Sequence, residues 1–178
     1  MPADGTPLRV AIGQSSLGAV LVGMTGNGIA AIMLDDDGAL LLDAARRLFP
    51  TARQVHGDRS LNCCMKAVQA HINTPCSPFD LPLDMQGTPF QQQVWQALRT
   101  IPCGTTLSYT ELAARIGRPA AVRAVAGACG ANRLAVVIPC HRVIGRNGSL
   151  SGYRWGTGRK RRLLEMERAV PLILRGAA

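Results

Sequence analysis

Long hydrophobic runs are missing from this chain of 178 residues. Its most apolar stretch, residues 18–34, is interrupted by the polar, glycine-rich tetrapeptide at 25–28. It therefore falls short of the roughly 18 uninterrupted apolar residues that a membrane span needs. The opening residues, Met-Pro-Ala-Asp, lack the basic segment of a secretory signal. We expect a cytoplasmic protein with no membrane partner, whose 6 cysteines remain thiols.

Metal-binding patterns and internal repeats are also absent. The cysteines and the 3 histidines form no CxxC pair of the kind that structural zinc sites use. With 19 glycines and 11 prolines, the composition is not that of a low-complexity or collagen-like chain. We expect a globular protein that holds no metal.

Acidic side chains are scarce in the second half of the chain. Residues 1–87 carry 6 basic and 8 acidic side chains, whereas residues 88–178 carry 14 and 3. A concentrated cationic half is typical of polyanion binding. Charge alone leaves two alternatives open, a nucleic-acid surface and a solvated basic face.

The two halves differ in secondary-structure pattern as well. Residues 1–87 predict strands at 8–12, 19–24 and 29–34 and helices at 39–49 and 60–72. The Pro-rich residues 74–87 that follow are either a linker or an edge strand followed by a linker. Residues 88–178 begin with two capping boxes, Thr88-Pro89-Phe90-Gln91 and Ser108-Tyr109-Thr110-Glu111. A helix-turn-helix follows, then a short buried strand at 135–138 and a basic helix at 159–169. We expect an α+β chain with an N-terminal α/β support domain (1–87) and a C-terminal helical domain (88–178).

The second helix of the helix-turn-helix is built mostly from Ala, Gly and Val, with Arg123 as the main polar exception. Proteins that read base sequence usually present Arg, Asn or Gln to base edges. A face of small residues instead allows close approach to a shallow surface such as the minor groove, with little sequence preference. Tight packing against another helix is the alternative explanation.

The candidate reactive side chains are concentrated in the segment Ile138-Pro-Cys-His-Arg-Val143. A cysteine becomes a good nucleophile only with a base close by, and Cys140 is followed directly by His141. The histidine in turn needs a carboxylate that sets its tautomer. The second half offers only three carboxylates, which are Glu111, Glu165 and Glu167. From the residues alone, both nucleophilic catalysis and a packing role for Cys140 remain open.

Further segments accompany this signature in a fixed order. They are Phe90-Gln-Gln-Gln-Val-Trp95, Ile101-Pro-Cys-Gly104, Leu107-Ser-Tyr109, Ala121-Val-Arg-Ala-Val125, Asn132, Pro139-Cys-His-Arg-Val143 and Ser151-Gly-Tyr-Arg-Trp155. Together they make residues 87–167 closely resemble the O6-alkylguanine-DNA alkyltransferase family. Within it, the pattern is most similar to the C-terminal domain of the Ada adaptive-response proteins and next to the Ogt-type proteins. The first half matches more loosely, in length and element order.

This resemblance implies a fold and a reaction. The N-terminal domain would be RNase H-like and the C-terminal domain a winged-helix-like helix-turn-helix domain. Cys140 would take an alkyl group from O6 of guanine, once per molecule and without a cofactor. His141 would act as its base through a water, and Glu167 would orient His141. Tyr109 would donate to the guanine ring, and Asn132 would order the turn around the nucleophile.

The resemblance also implies how the chain would meet DNA. The partner would be double-stranded DNA with O6-alkylguanine, bound by a monomer from the minor-groove side. Arg123 would fill the gap left by the flipped-out base, with Ala121, Ala124 and Tyr109 also at the DNA surface. The pocket for the base would be lined by Val143, Tyr153, Arg154, Trp155 and Ala135. Because Trp155 is bulky where some relatives have Gly, we expect poor reaction with O6-benzylguanine, although Ala135 would relax the pocket.

Two alternatives to a self-alkylating repair protein remain. One is a non-catalytic alkyltransferase-like damage binder, a class in which the acceptor cysteine is replaced, which Cys140 argues against. The other is a fragment of an Ada-type repair protein and transcription regulator. Because the chain starts with Met and has a whole first half, we expect a free-standing protein.

Overall fold

The computed structural model describes residues 7–150 and 152–170, which form two compact units. The first unit contains the chain as far as Asn73, together with Phe79–Gln86 and Arg133–Ala135. The second contains Thr74–Pro78, Gly87–Asn132 and the chain from Val136 onward. Two short segments, 74–78 and 133–135, therefore lie on the opposite side of the division that the sequence predicts at residue 87.

The first unit is a sheet covered by two helices. Strands β1 (Arg9–Ser15), β2 (Gly18–Thr25) and β3 (Gly28–Asp35) form an antiparallel meander. A two-residue strand, β4 (Arg53–Gln54), pairs parallel to β1, so the strand order is β3-β2-β1-β4. This order agrees with the RNase H-like domain that the resemblance implies. The two helices are α1 (Gly38–Leu48) and α2 (Arg59–Asn73).

Local sequence explains this meander. All residues of β3 except Asp35 are buried, as expected for a continuous apolar run. The turn before it ends at Gly28, whose φ is +137°, and a Cβ there would lie 2.4 Å from the carbonyl oxygen of Pro82. Only glycine fits both the conformation and this close approach.

The second unit is mainly helical. Its elements are α3 (Pro89–Arg99), β5 (Leu107–Ser108), α4 (Tyr109–Arg115), α5 (Val122–Gly130), a 3₁₀ turn (Cys140–Arg142), β6 (Val143–Ile144) and α6 (Thr157–Ala169). Helices α3 and α4 begin at the predicted capping boxes, where Gln91 N donates to Thr88 Oγ1 and Glu111 N donates to Ser108 Oγ, both at 3.2 Å. Helix α3 packs on α4 and α5, and the indole of Trp95 donates to Ala128 O at 2.8 Å.

The prediction of a strand at 135–138 is wrong. Val136 has a φ of 68°, in the left-handed region that a β-branched residue rarely adopts, and this conformation breaks the extended geometry of a strand. The residues are buried, but they form a turn. In the part of the chain that the structure describes, the only strand pairing near this turn is a single bridge between Leu134 and Ile32, both in the first unit.

The expectation that all the cysteines are thiols is also wrong. Cys76 and Cys103 form a disulfide with a Cα–Cα distance of 5.3 Å. Cys63, Cys64, Cys129 and Cys140 are free. Among the described residues, no helix combines the length and the apolar character needed to cross a membrane.

Candidate active site

Cys140 lies at the start of the 3₁₀ turn and is 4% exposed. The amide of Asn132 reaches it from the end of α5 and donates at 2.9 Å to Ile138 O and at 3.2 Å to Cys140 Sγ. Asn132 is itself 1% exposed. One side chain therefore holds both the backbone before the cysteine and its sulfur, which is the geometry that an ordering role for Asn132 requires.

His141 and Glu167 form a fully buried pair. Nε2 of the imidazole lies 2.7 Å from Oε1 of the carboxylate, and both side chains are 0% exposed. Because a carboxylate only accepts, Nε2 carries the proton and Nδ1 has a free lone pair. Nδ1 is buried and has no hydrogen-bond partner among the described residues. Burial lowers the pKa of His141 despite the opposing effect of Glu167, so the imidazole is neutral and can accept a proton.

Glu167 is held by Arg142 and by a backbone amide. Arg142 Nε donates to both carboxylate oxygens at 3.0 and 3.1 Å, and Gly104 N donates to Oε2 at 3.1 Å. Burial alone would raise the pKa of Glu167. The hydrogen bonds from His141 and Arg142 and the charge of Arg142 outweigh burial and hold that pKa at about 2. The carboxylate is therefore ionised at neutral pH.

Lys160 contributes a second buried cation. Its side chain is 0% exposed, and Nζ donates to Val143 O at 2.6 Å. Burial raises the pKa of the Cys140 thiol, while the Asn132 amide and the positive charge of Lys160 partly offset that effect. The resting sulfur is therefore a protonated thiol close to groups that favour its ionised form.

Tyr109 is brought to the site by a strand pair that the sequence did not reveal. Strands β5 and β6 pair in parallel, Leu107 with Val143 and Ser108 with Ile144, so the strand that leads into Tyr109 lies beside the segment that follows the 3₁₀ turn. The hydroxyl of Tyr109 donates to Gly152 O at 3.4 Å. Burial raises the pKa of Tyr109 to about 12, so the hydroxyl keeps its proton as a donor.

The loop before α6 forms one side of the cluster. Tyr153 is buried and meets the ring of His141 edge-on, with the ring centroids 6.4 Å apart. Arg154 donates to Gly130 O at 3.2 Å and lies over the ring of Trp155 at 5.3 Å. Ser151 lies outside the described residues.

Ala135 is placed differently from the other predicted pocket residues. It belongs to the first unit, where its N–H donates to Ile32 O at 3.0 Å. Trp155 has the expected bulk and is 6% exposed. The roles of both residues in the base pocket remain predictions.

Known proteins are similar to this chain over most of its length. The family model described as 6-O-methylguanine DNA methyltransferase, DNA binding domain, matches residues 89–169. The inducible methylated-DNA–protein-cysteine methyltransferase of Bacillus subtilis is 44% identical over 128 residues, which cover 72% of each chain. The crystal structure of Mycobacterium tuberculosis OGT in complex with DNA superposes with a TM-score of 0.75 at 36% identity, covering 91% of this chain and 92% of that one.

This chain belongs to the methylated-DNA–protein-cysteine methyltransferase family. It is also 52% identical over 164 residues to the bifunctional transcriptional activator and DNA repair enzyme Ada of Escherichia coli. That match covers 92% of this chain but 46% of Ada, so the chain spans about half the length of this relative.

Two residues of this site, Arg142 and Lys160, were not identified from the sequence. Arg142 appeared only as a letter of the signature, and Lys160 only as an unnamed member of the basic helix at 159–169, although its side chain is fully buried. A spacing signal was available for Lys160: it lies seven residues before Glu167, two helical turns away and on the same face. Of the other candidate carboxylates, Glu111 caps α4 through Ser108 N at 2.6 Å, and Glu165 is exposed.

Helix α5 has one buried face and one exposed face, so its burial does not exclude either alternative left open by its small residues. Val125, Ala128 and Cys129 are buried, so one face packs within the unit. Arg123 and Ala124 are exposed in its first turn, and Ala121 occupies the N-cap position. Within residues 7–150 and 152–170, no group of three or more His, Cys, Asp or Glu side chains could hold a metal ion.

Proposed function

We propose that this chain performs direct-reversal DNA repair by transferring a methyl or other alkyl group from O6 of guanine in DNA to its own Cys140. The observation that carries the proposal is a buried cluster in which Asn132 holds the Cys140 sulfur, while Glu167, itself held by Arg142, binds His141, the residue next to Cys140 in sequence. It combines a held thiol, a neutral imidazole with a free lone pair and an ionised carboxylate. These are the parts that nucleophilic catalysis by cysteine needs.

The reaction follows from these protonation states. His141 Nδ1 takes the thiol proton, directly or through a water, and Glu167 stabilises the resulting imidazolium. The Cys140 sulfur attacks the alkyl carbon, so that an S–C bond forms and the C–O6 bond breaks. The electron pair of that bond stays with guanine, whose ring receives a proton from the Tyr109 hydroxyl. Tyr109 regains a proton from solvent, and the His141 imidazolium releases the thiol proton to solvent, so the net change moves one proton from the thiol to guanine. The products are an unmodified guanine and a thioether on the protein.

None of the described site groups cleaves the thioether formed on Cys140, so each molecule reacts once. The process is stoichiometric and requires no cofactor, because the substrate supplies the alkyl group and the protein supplies both the acceptor and the proton transfers. Tyr153, Arg154, Trp155 and Val143 line the space that the guanine enters in this proposal.

Duplex DNA containing O6-alkylguanine is the proposed partner. The target atom is inaccessible inside the base stack, so the nucleotide has to be flipped out. Arg123 is exposed at the start of α5 and is the side chain best placed on that helix to fill the gap. The surrounding Arg-rich half supplies phosphate contacts without base-sequence preference. We infer that the protein acts as a monomer in the cytoplasm, where its substrate DNA lies.

A label-transfer assay tests the proposal. The protein is mixed with a duplex oligonucleotide that carries labelled O6-methylguanine, and the modified peptide is located by mass spectrometry. We expect one label per molecule on Cys140 and none on the Cys140→Ala variant. Cys63→Ala, which removes an exposed cysteine of the first unit, is the matched control and should transfer normally.

Other outcomes would favour the alternatives. Tight binding to the lesion without transfer would indicate a non-catalytic damage binder. Label on a cysteine other than Cys140 would contradict the assignment of the acceptor.

A further inference from the structure

The Cys76–Cys103 disulfide lies within the second unit, outside the cluster around Cys140. It joins the segment 74–78 to the loop between α3 and β5, across a sequence separation of 27 residues. Cys103 is 8% exposed and Cys76 is partly exposed. A reagent in solution can therefore reach the pair through Cys76.

The backbone groups next to these cysteines hold the Arg142–Glu167 ion pair. Arg142 Nη2 donates at 3.4 Å to the carbonyl oxygen of Pro75, the residue before Cys76. Arg142 Nη1 donates at 2.6 Å to the carbonyl oxygen of Ile101, in the segment that contains Cys103. Gly104 N, directly after Cys103, donates to Glu167 Oε2 at 3.1 Å. The guanidinium thus spans the two segments that the disulfide joins.

We propose that Cys76 and Cys103 form a reversible dithiol–disulfide site, and that closing the disulfide speeds alkyl transfer to Cys140 by holding the Arg142–Glu167–His141 chain in place. The inference rests on the proposed function. A fixed Pro75 carbonyl keeps Arg142 aligned, and an aligned Arg142 keeps Glu167 against His141. Arg142 acts here as a positioning residue, because it touches Glu167 rather than the substrate.

A small disulfide such as oxidised glutathione is the oxidant class that fits. The thiolate of one cysteine attacks the S–S bond of the oxidant, which forms a mixed disulfide and releases one glutathione thiolate. The second cysteine thiolate then attacks the protein-side sulfur and releases the second glutathione. The two cysteines lose two electrons and their protons, and the oxidant is reduced to two thiols.

Geometry directs this oxidation to Cys76 and Cys103. Their Cα atoms are 5.3 Å apart, within the range that a disulfide spans without backbone movement. Cys140 is 4% exposed and held by Asn132 at 3.2 Å, so the oxidant has little access to the acceptor sulfur. Oxidation can therefore change the site without consuming the nucleophile.

The test compares single-turnover transfer rates of the whole chain after incubation with oxidised or reduced glutathione. Peptide mapping verifies that Cys76 and Cys103 are paired in one sample and free in the other, with Cys140 free in both. We expect the reduced protein to transfer methyl groups about tenfold more slowly, the scale on which supporting partners affect a site. The Cys76→Ser/Cys103→Ser variant should match the reduced protein in both buffers, and Cys63→Ser should behave as the wild type.

The pH–rate profile separates positioning from a general loss of stability. A loosened Glu167 raises the pKa of His141 less, so the acidic limb of the profile should move to lower pH on reduction. Equal rates in the two verified states, an unmoved limb, or failure of oxidised glutathione to pair the cysteines would overturn the proposal. Transfer that is absent in both states would contradict the proposed function as well, whereas intact transfer with no redox difference contradicts this inference alone.

Discussion

Replacing Glu167 by Gln removes one charge from the buried cluster and nearly preserves its shape. An amide oxygen in the place of Oε1 can still accept from both His141 and Arg142. Gly104 N loses its acceptor, because the NH₂ group that replaces Oε2 can only donate. His141 also loses the negative charge that favours its protonated form.

The magnitude follows from burial and from the pKa of Glu167. That pKa is about 2 instead of the ordinary 4.5, a difference worth about 3 kcal/mol of folding free energy at neutral pH. Removing one partner of a buried ion pair costs a similar amount, about 3–5 kcal/mol. For a chain of this size we expect the Tm to fall by roughly 6–12 °C. Loss of an effective general base should slow transfer by about 10²- to 10⁴-fold.

The assay pairs thermal melting by circular dichroism with single-turnover methyl transfer well below the lower Tm. Glu165→Gln is the matched control, since it makes the same chemical change two residues away on the exposed face of α6. The control should change the stability by no more than about 0.5 kcal/mol and leave the rate unaltered. If Glu167→Gln transfers methyl groups as fast as Glu165→Gln, His141 does not depend on this carboxylate. Equal Tm values would show that the buried ion pair does not stabilise the fold as calculated.

Three other predictions use the same site. Acid should destabilise the fold in two stages, which urea denaturation from neutral pH down to about pH 3 would resolve. His141 has a lowered pKa, so its contribution to the free energy of unfolding declines as pH falls below about 6.5. The contribution of Glu167 declines from about 4.5 towards 2, and Glu167→Gln should show a smaller second stage, because Asp58 and Glu111 also have lowered pKa values. Asn132→Ala should lower the unfolding free energy by about 1–3 kcal/mol, because Ile138 O loses a buried donor, and should slow transfer. Asn62→Ala, at an exposed position of α2, is its control, and equal effects would contradict the ordering role of Asn132. Arg123→Ala should reduce transfer from duplex DNA by roughly tenfold or more, while the Tm and the reaction with the free base stay unchanged. The control Arg46→Ala should alter none of these three quantities. An equal loss on the free base would mean that Arg123 acts on the chemistry and not on base flipping.

Elements with local signals could be predicted from the sequence. Thr88 and Ser108 each cap a helix whose third residue, Gln91 or Glu111, returns the bond, and both helices begin where the pattern places them. The antiparallel meander was equally accessible, since an Asn-Gly turn between apolar runs is a short-range signal. The roles of His141 and Glu167 came from the family resemblance, and the structure brings these residues within 2.7 Å.

Features that depend on long-range contacts could not be predicted in the same way. Strands β5 and β6 have two residues each, too few for a periodic pattern. Lys160 stands in a run of Arg residues, and only the packing of α6 shows that it alone of the run is fully buried. Val136 has a left-handed backbone conformation, which β-branched residues disfavour, so this conformation is imposed by the surrounding fold.

The charges around Cys140 favour its thiolate, but the thiol ionises only when a base accepts its proton. Burial keeps the thiol protonated, and a protonated thiol is a poor nucleophile. When His141 takes the proton, the thiolate is stabilised by Lys160 and Asn132, and the imidazolium is stabilised by Glu167. These groups are already in place, so no solvent or side chain has to reorganise around the new charges. In the proposed function each molecule reacts once, and this arrangement would keep the acceptor sulfur from being lost to other electrophiles before the damaged base binds.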